Sequence, residues 1–354
     1  MVDSFYPITF QPLYKDYLWG GRNLERLGKS LPDGIVAESW EISAHHDGMG
    51  IVASGRYKGK TLEALVNQFG EVFLGSRSYK QYRNKFPLLL KFIDANDRLS
   101  VQVHPNDEYA RTHENDLGKT EMWYVLDAQP DAHILYGLTR RMSKDEFRSI
   151  LNKGRIGDIL KSVPVKKGDV IYIPAGTVHA IGSGILIAEI QQNSNATYRL
   201  YDYDRKNPDG TSRPLHIDRA IDSIDFENVA GDGKRKGLAY DRDGASIRVV
   251  VADPHFCTEM IAVKDEASFI ADDRSFRTYI FTEGSAVLEW AAGSMPVRAG
   301  QSVLIPANLG NYKFRGNISA LRSYIGDTEG DIAAPLLSAG YTREQMAAAI
   351  GGLR

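Results

Sequence analysis

The chain has 354 residues, 43% hydrophobic and 25% charged, a balance that suits a folded protein with a sizeable core and disfavours disorder. Its formal charge of -2 offers no long-range field for nucleic acid or an anionic membrane, so any affinity for phosphate must come from a local cluster of cations. The single cysteine, Cys257, excludes an internal disulfide and reads as a small buried hydrophobe.

The opening residues, MVDSFYPITF, lack a basic stretch followed by a long apolar run, and no later stretch approaches the roughly 18 apolar residues of a membrane span. A cytoplasmic location is therefore expected. The first element with a clear signal is a helix over 61–69, opened by Thr61 as N-cap with Glu63 in its first turn. From residue 87 onward, short alternating or apolar runs split by Gly, Pro, Asn and Asp read as β-structure. Strands are predicted over 88–94, 99–104, 121–126, 133–136, 170–173, 185–191 and 197–201. A second helix, 143–152, begins at Ser143 with capping-box spacing to Glu146. The stretch 226–243, rich in Gly, Lys, Asp and Arg, reads as a linker or long exposed loop. A third helix, 342–350, has Thr342 and Gln345 as its box and Gly351-Gly352 as its stop.

An internal repeat runs across these elements. Residues 165–174 (VKKGDVIYIP) align with 297–306 (VRAGQSVLIP), each with a Gly, five residues and a Pro, which predicts two related β-barrels in one chain. In the second copy no histidine stands at the position of His179 and no Gln-x-His pair precedes it, so only the first barrel is expected to hold metal.

Alternation places the candidate ligands. In an extended strand Ser100, Gln102 and His104 share one face while Leu99, Val101 and Val103 share the other, the pattern of a barrel wall whose polar side lines a pocket. Lys119, Glu121 and Trp123 share a face of the next strand, and His179 arrives after the Pro174-Ala-Gly176 turn. Two imidazoles, one carboxylate and one neutral amide oxygen suit zinc or another first-row divalent ion, which with a single anionic ligand stays a strong Lewis acid. His45, His46, His113, His133, His216 and His255 lack such partners in the sequence and read as surface or core residues.

The spacing Gly168-x5-Pro174-x-Gly176-x2-His179 resembles the second signature of the cupin superfamily, metal-binding β-barrels with many unrelated activities. The segments LSVQVHPND (99–107), GKTEMWYVL (118–126), IPAGTVHAIGSG (173–184) and EIQQNSNATYRLYDYDR (189–205), with Trp19-Gly-Gly and AESWEIS (37–43), resemble the type I mannose-6-phosphate isomerases over about residues 5–325. The spacing of Glu121 and His179 is similar to the short bacterial form, without a large helical insertion. The resemblance implies a mainly β fold of two cupin-like (jelly-roll) β-barrels with a few short helices. It implies one Zn2+ per chain on Gln102, His104, Glu121 and His179, a catalytic Arg199, and a sugar phosphate as substrate. The corresponding division is 1–240 for the catalytic metal-binding part, 241–325 for a second barrel without metal ligands, and 326–354 for a tail with a helix.

Aldose–ketose isomerisation moves a proton between adjacent carbons through an enediolate, and cations beside the enediolate oxygens stabilise it. Arg199 offers a permanent fork of donors to the enediolate or the phosphate. Lys119, on the metal-facing side, reads as a phosphate contact or proton carrier, or else as a solvated strand-end cation. Glu189 shares a face with Ile185 and Ile187 and is the carboxylate candidate for proton transfer, or else a partner that fixes Lys119 or Arg199. Ser100 is a candidate donor to phosphate or a satisfied strand hydroxyl, and Arg205 reads as a partner of Asp202 or Asp204. Two other classes share the pattern: an Fe(II) cupin dioxygenase, disfavoured by Gln102 and the nearby basic residues, and a non-catalytic sugar-binding module. Neither nucleic acid nor membrane is expected as a partner, and no oligomeric state is legible.

Overall fold

The computed structural model describes residues 5–229 and 231–353. Its central strands are buried along their whole length because both of their faces are covered. Leu88–Ala95 and Ile185–Gln192 are buried at every position and pair antiparallel from Ala95 opposite Ile185 to Leu88 opposite Gln192. They sit in a six-stranded sheet ordered Val170–Ile173, Glu121–Ala128, Ile185–Gln192, Leu88–Ala95, Glu38–Ile42, Leu13–Lys15. A five-stranded sheet runs Leu160–Pro164, His133–Leu138, His179–Ile181, Val101–Val103, Tyr198–Tyr201. The two sheets share one buried cluster, with Ile134, Tyr136 and Ile181 from the five-stranded sheet and Trp123, Ile171 and Ile187 from the six-stranded one.

Helices Lys144–Asn152 and Ile217–Ser223 cover the back of the five-stranded sheet, setting Phe147, Ala220 and Ile221 against Val103, Tyr198 and Leu200. The back of the six-stranded sheet contributes Leu90, Phe92 and Ala188 to a second cluster, joined by Leu65 of helix Leu62–Phe69 and by Val250, Phe256, Ile280 and Leu321 from the C-terminal half. That half is an eight-stranded antiparallel sheet whose path is Leu238–Arg242, Ala245–Asp253, Phe256–Val263, Gly310–Tyr324, Arg277–Trp290, Gly293–Arg298. Glu266–Ala271 and Ser302–Ile305 pair onto Gly310–Tyr324 and Arg277–Trp290 respectively.

The predominance of strand matches expectation, but two closed barrels are not seen: among the described residues each sheet ends in strands partnered on one side only. The stretch 226–243 is not wholly a loop, since Leu238–Arg242 pairs with Ala245–Asp253 as an edge strand of the C-terminal sheet; residue 230 lies outside the described residues. The repeat is visible as two turns at positive φ, Gly168 (90°) and Gly300 (81°), leading into Val170–Ile173 and Ser302–Ile305. The three predicted helices form as Leu62–Phe69, Lys144–Asn152 and Arg343–Ala349, with Thr61, Ser143 and Thr342 accepting at their N-caps. Short helices at Ser76–Tyr82, Asp107–His113 and Ile217–Ser223 carry one or two buried side chains each, too few to show a period in the sequence.

Candidate active site

Cross-strand register builds the site. Tyr136, His179, Gln102 and Arg199 are successive partners across the five-stranded sheet, so their side chains share its inner face. The six-stranded sheet opposes them with the row Ile171, Trp123, Glu189, Lys91, Trp40, and Glu121 shares that face two residues before Trp123. The turn before His179 is docked on both ligand strands: Gly176 N donates to the His104 carbonyl at 2.9 Å, and Ala175 N to Thr120 Oγ1 at 3.3 Å.

Three ligand atoms converge, those of His104, Glu121 and His179 lying within 4.8 Å of one another. His104 Nδ1 lies 2.9 Å from the Ala196 carbonyl and His179 Nδ1 2.9 Å from that of Thr177. A carbonyl only accepts, so Nδ1 carries the proton in both rings and each Nε2 turns its lone pair inward, 3.5 Å and 3.4 Å from Glu121. Burial, helped by the charge of Lys119, holds His104 well below the usual imidazole range, and burial brings His179 to about 4. Both rings are thus neutral ligands near pH 7. The amide nitrogen of Gln102 lies 3.4 Å from His179 Nε2, and Glu121 Oε1 is buried without a hydrogen-bond partner among the described residues. An orphaned buried carboxylate oxygen beside two inward lone pairs and an amide is a donor set that fits a divalent ion such as zinc.

Lys119 is not a solvated cation. It is 4% exposed, donates to Glu121, and sits 2.9 Å from His104 Nε2 and 3.7 Å from Glu189 Oε1. Glu189, on the same face as Ile185 and Ile187, accepts from Trp123 Nε1 at 2.9 Å and lies 3.2 Å from Lys91 Nζ. Burial alone would raise the Glu189 carboxyl, but Lys91 and Lys119 outweigh it and hold the group below its usual range. Burial, aided by the Glu189 charge, pushes Glu121 up to about 7. Lys91 stays charged, its burial outweighed by Glu189 and Glu38, and Glu38 accepts from Trp40 Nε1 at 2.6 Å. Glu38 and Lys91 were not candidates from the sequence, although a lone Lys within the apolar run LLLKFI was a signal that could have found Lys91.

Arg199 is half-buried, with Nε donating to Ser100 Oγ at 3.3 Å and Nη1 to the Pro214 carbonyl at 2.9 Å, and it makes no ion pair among the described residues. Ser100 therefore orients the guanidinium. Arg205 is 3.5 Å from Asp202 and 3.1 Å from Asp97, the structural partnership read from the sequence. Three of the histidines set aside in the sequence do have acidic partners: His45 meets Asp116 at 3.2 Å, His46 meets Asp47 at 3.4 Å, and His255 meets Asp107 and Asp253. His45, His46 and Asp47 also gather, but His46 is 81% exposed and the group lies open to solvent on that side.

Fold and site together define a β-sheet protein with a buried His-Glu-His cluster between two sheets, flanked by a buried lysine and by an arginine held by a serine and a carbonyl. The family profile described as phosphomannose isomerase type I, catalytic domain, matches residues 8–135, and that of the mannose-6-phosphate isomerase cupin domain matches 246–325. The mannose-6-phosphate isomerase ManA of Bacillus subtilis is 37% identical over 90% of this chain and 99% of its own length. Mannose-6-phosphate isomerase of Streptococcus mutans is 35% identical over 90% and 98%. The crystal structure of the mannose 6-phosphate isomerase from Bacillus subtilis superposes with a TM-score of 0.82 at 37% identity, covering 90% of this chain and 99% of that one. A mannose 6-phosphate isomerase bound with zinc and yttrium shares the fold, with a TM-score of 0.69 at 17% identity over 90% and 99%. The chain belongs to the type I mannose-6-phosphate isomerase family.

Proposed function

We propose that this protein is a zinc-dependent isomerase interconverting D-mannose 6-phosphate and D-fructose 6-phosphate through an enediolate, with one ion per chain on Gln102, His104, Glu121 and His179. The observation that carries it is the convergence of His104, Glu121 and His179 within 4.8 Å, in a member of this family, beside an arginine with no carboxylate partner among the described residues. A bound ion supplies Lewis acidity toward the developing oxyanion. Arg199, held by Ser100 and the Pro214 carbonyl, presents its remaining donors to the enediolate or the phosphate. Ser100 and Lys119 complete the substrate contacts. Glu189 is the carboxylate of the proton path: its Oε1 lies between the ammonium groups of Lys91, at 3.2 Å, and Lys119, at 3.7 Å. Trp123 and Tyr136 wall the pocket and exclude water.

The reading extends to the whole chain. Residues 1–240 form the catalytic part, 241–325 a second jelly-roll unit without metal ligands, and 326–354 a helical tail, a division supported by the repeated Gly-x5-Pro turns. No helix among the described residues is long and apolar enough to cross a membrane. A cytoplasmic setting suits the buried free thiol of Cys257.

A coupled assay with mannose 6-phosphate against glucose 6-phosphate tests the reaction. Turnover of the first substrate alone, lost on chelation and restored by zinc, is expected. Binding of mannose 6-phosphate without turnover, or consumption of oxygen in place of isomerisation, would overturn the reading.

A further inference from the structure

The C-terminal sheet repeats the construction of the candidate active site with its charges exchanged. The two Gly-x5-Pro turns align Ile173 with Ile305 and Ile171 with Val303. Ile173 pairs with Glu121 and Ile305 with Arg277; Ile171 pairs with Trp123 and Val303 with Tyr279. One strand further, Trp123 stands opposite Glu189 and Tyr279 opposite Arg322. In the strand beyond, Glu189 meets Lys91 and Arg322 meets Glu259. Glu121, Glu189 and Lys91 of the first copy thus become Arg277, Arg322 and Glu259 in the second.

A cavity of about 980 Å³ opens at this place, lined by those three residues together with Phe269, Trp290 and Tyr312. That volume is at the upper end of what small-molecule sites use. Arg322 donates to Glu259 through Nε at 2.7 Å and lies 2.6 Å from it through Nη2, and Tyr324 Oη donates to the same carboxylate at 3.1 Å. A buried ion pair is no more stabilising than well-packed apolar side chains. On the same strands the interior reverts to Ile261, Val263, Ile318 and Ala320 away from the cavity, so the polar end belongs to the cavity and not to a need of the sheet. Arg277 is buried with its guanidinium 4.3 Å over the Tyr324 ring, donates Nη1 to the carbonyls of Ser275 and Phe276, and forms no ion pair among the described residues. Trp290 Nε1 is buried with no hydrogen-bond partner among the described residues.

The lining holds five basic and five acidic side chains, so the cavity carries no net charge with which to hold a phosphate dianion. Aromatic faces beside guanidinium and carboxylate groups suit a pyranose ring: the C–H face stacks on the aromatic side chains while vicinal hydroxyls donate to the carboxylate and accept from the guanidinium. We propose that this cavity is a second ligand site, taking a neutral hexose or a hexose unit of a neutral saccharide, with Arg277 and Glu259 on the hydroxyls and the Trp290 ring against the C–H face.

Calorimetric titration of the full metal-loaded chain with D-mannose and with a neutral mannose disaccharide, with and without saturating mannose 6-phosphate, tests the site. One saccharide per chain, indifferent to mannose 6-phosphate, is expected, with affinity reduced about tenfold or more by Trp290→Ala and by Ser268→Trp, which adds an indole to the cavity lining. The isomerase rate should be unchanged in both variants. If Trp290→Ala fails to fold, Ser268→Trp alone decides. Absence of binding by either saccharide up to about 100 mM, displacement by mannose 6-phosphate, or undiminished affinity in the folded variants would overturn the proposal.

Discussion

His255 Nε2 lies 3.2 Å from Asp107 Oδ2, while its Nδ1 lies 2.5 Å from Asp253 Oδ1. One imidazole therefore ties the end of strand Ala245–Asp253 to the start of helix Asp107–His113, just beyond His104. Asp107 also accepts from Gly118 N at 2.7 Å and from Gln192 Nε2 at 2.9 Å through Oδ1, so the clamp reaches the segment that delivers Lys119 and Glu121.

The clamp sets a pH dependence of stability. Burial opposes the charge on His255, but Asp107 and Asp253 outweigh it and raise the group from 6.5 to about 9. The stabilisation is complete below the ordinary value of 6.5 and is lost as pH rises through about 9. Asp107, lowered to about 2 chiefly by the hydrogen bond from His255, adds a term present above 3.8 and lost only as pH falls toward 2. Thermal midpoints of wild type and His255→Leu should converge between pH 7 and 10, as about 1–2 kcal/mol disappears, a figure reduced for solvent at the partly exposed Asp107. A gap that stays constant across that range would dismiss the clamp.

Metal binding and turnover should separate by residue. His179→Ala removes one of three converging ligands, and elemental analysis should find it depleted of zinc. Arg199→Ala should keep its metal yet lose about 10²–10³-fold in kcat/KM, the usual consequence of deleting a donor to a developing oxyanion. Near-normal turnover by Arg199→Ala would remove that residue from the mechanism.

Lys91→Met leaves Glu38 and Glu189 buried without their shared cation. Breaking a buried pair from one side costs about 3–5 kcal/mol, which urea unfolding should register as a lowered midpoint. A loss under about 1 kcal/mol would mean that water or Lys119 compensates the carboxylates.

Gly176 holds φ at 86°, and a Cβ there would meet the Ser223 carbonyl at 3.1 Å. Gly176→Ala should cost about 1–3 kcal/mol of stability through backbone strain. Because Gly176 N bonds the His104 carbonyl, zinc affinity should fall with it, measured by competition with a chelator. Unchanged affinity would show that His179 is positioned independently of the turn.

Local signals carried a large part of this protein. The capping box at Thr342, the N-caps at Thr61 and Ser143, the largely apolar runs of the central strands, and the two-residue alternation that put Gln102, His104 and Glu121 on inward-facing sides all depend on neighbours in the chain. The Gly176 turn likewise announced His179, because only a few residue types accept that backbone.

Tertiary structure alone decided the rest. Whether the sheets close, which way the stretch 226–243 folds, and that Lys91 joins Glu38 to Glu189 depend on cross-strand register, which no local pattern encodes. The pairing of His255 with Asp107 spans 148 residues, and the matching of Arg277, Arg322 and Glu259 to Glu121, Glu189 and Lys91 spans the internal repeat. The physical reason is the same in each case: a residue's own neighbours set its backbone and the face it presents, whereas the charge or ligand it meets is set by whichever distant segment packs against that face.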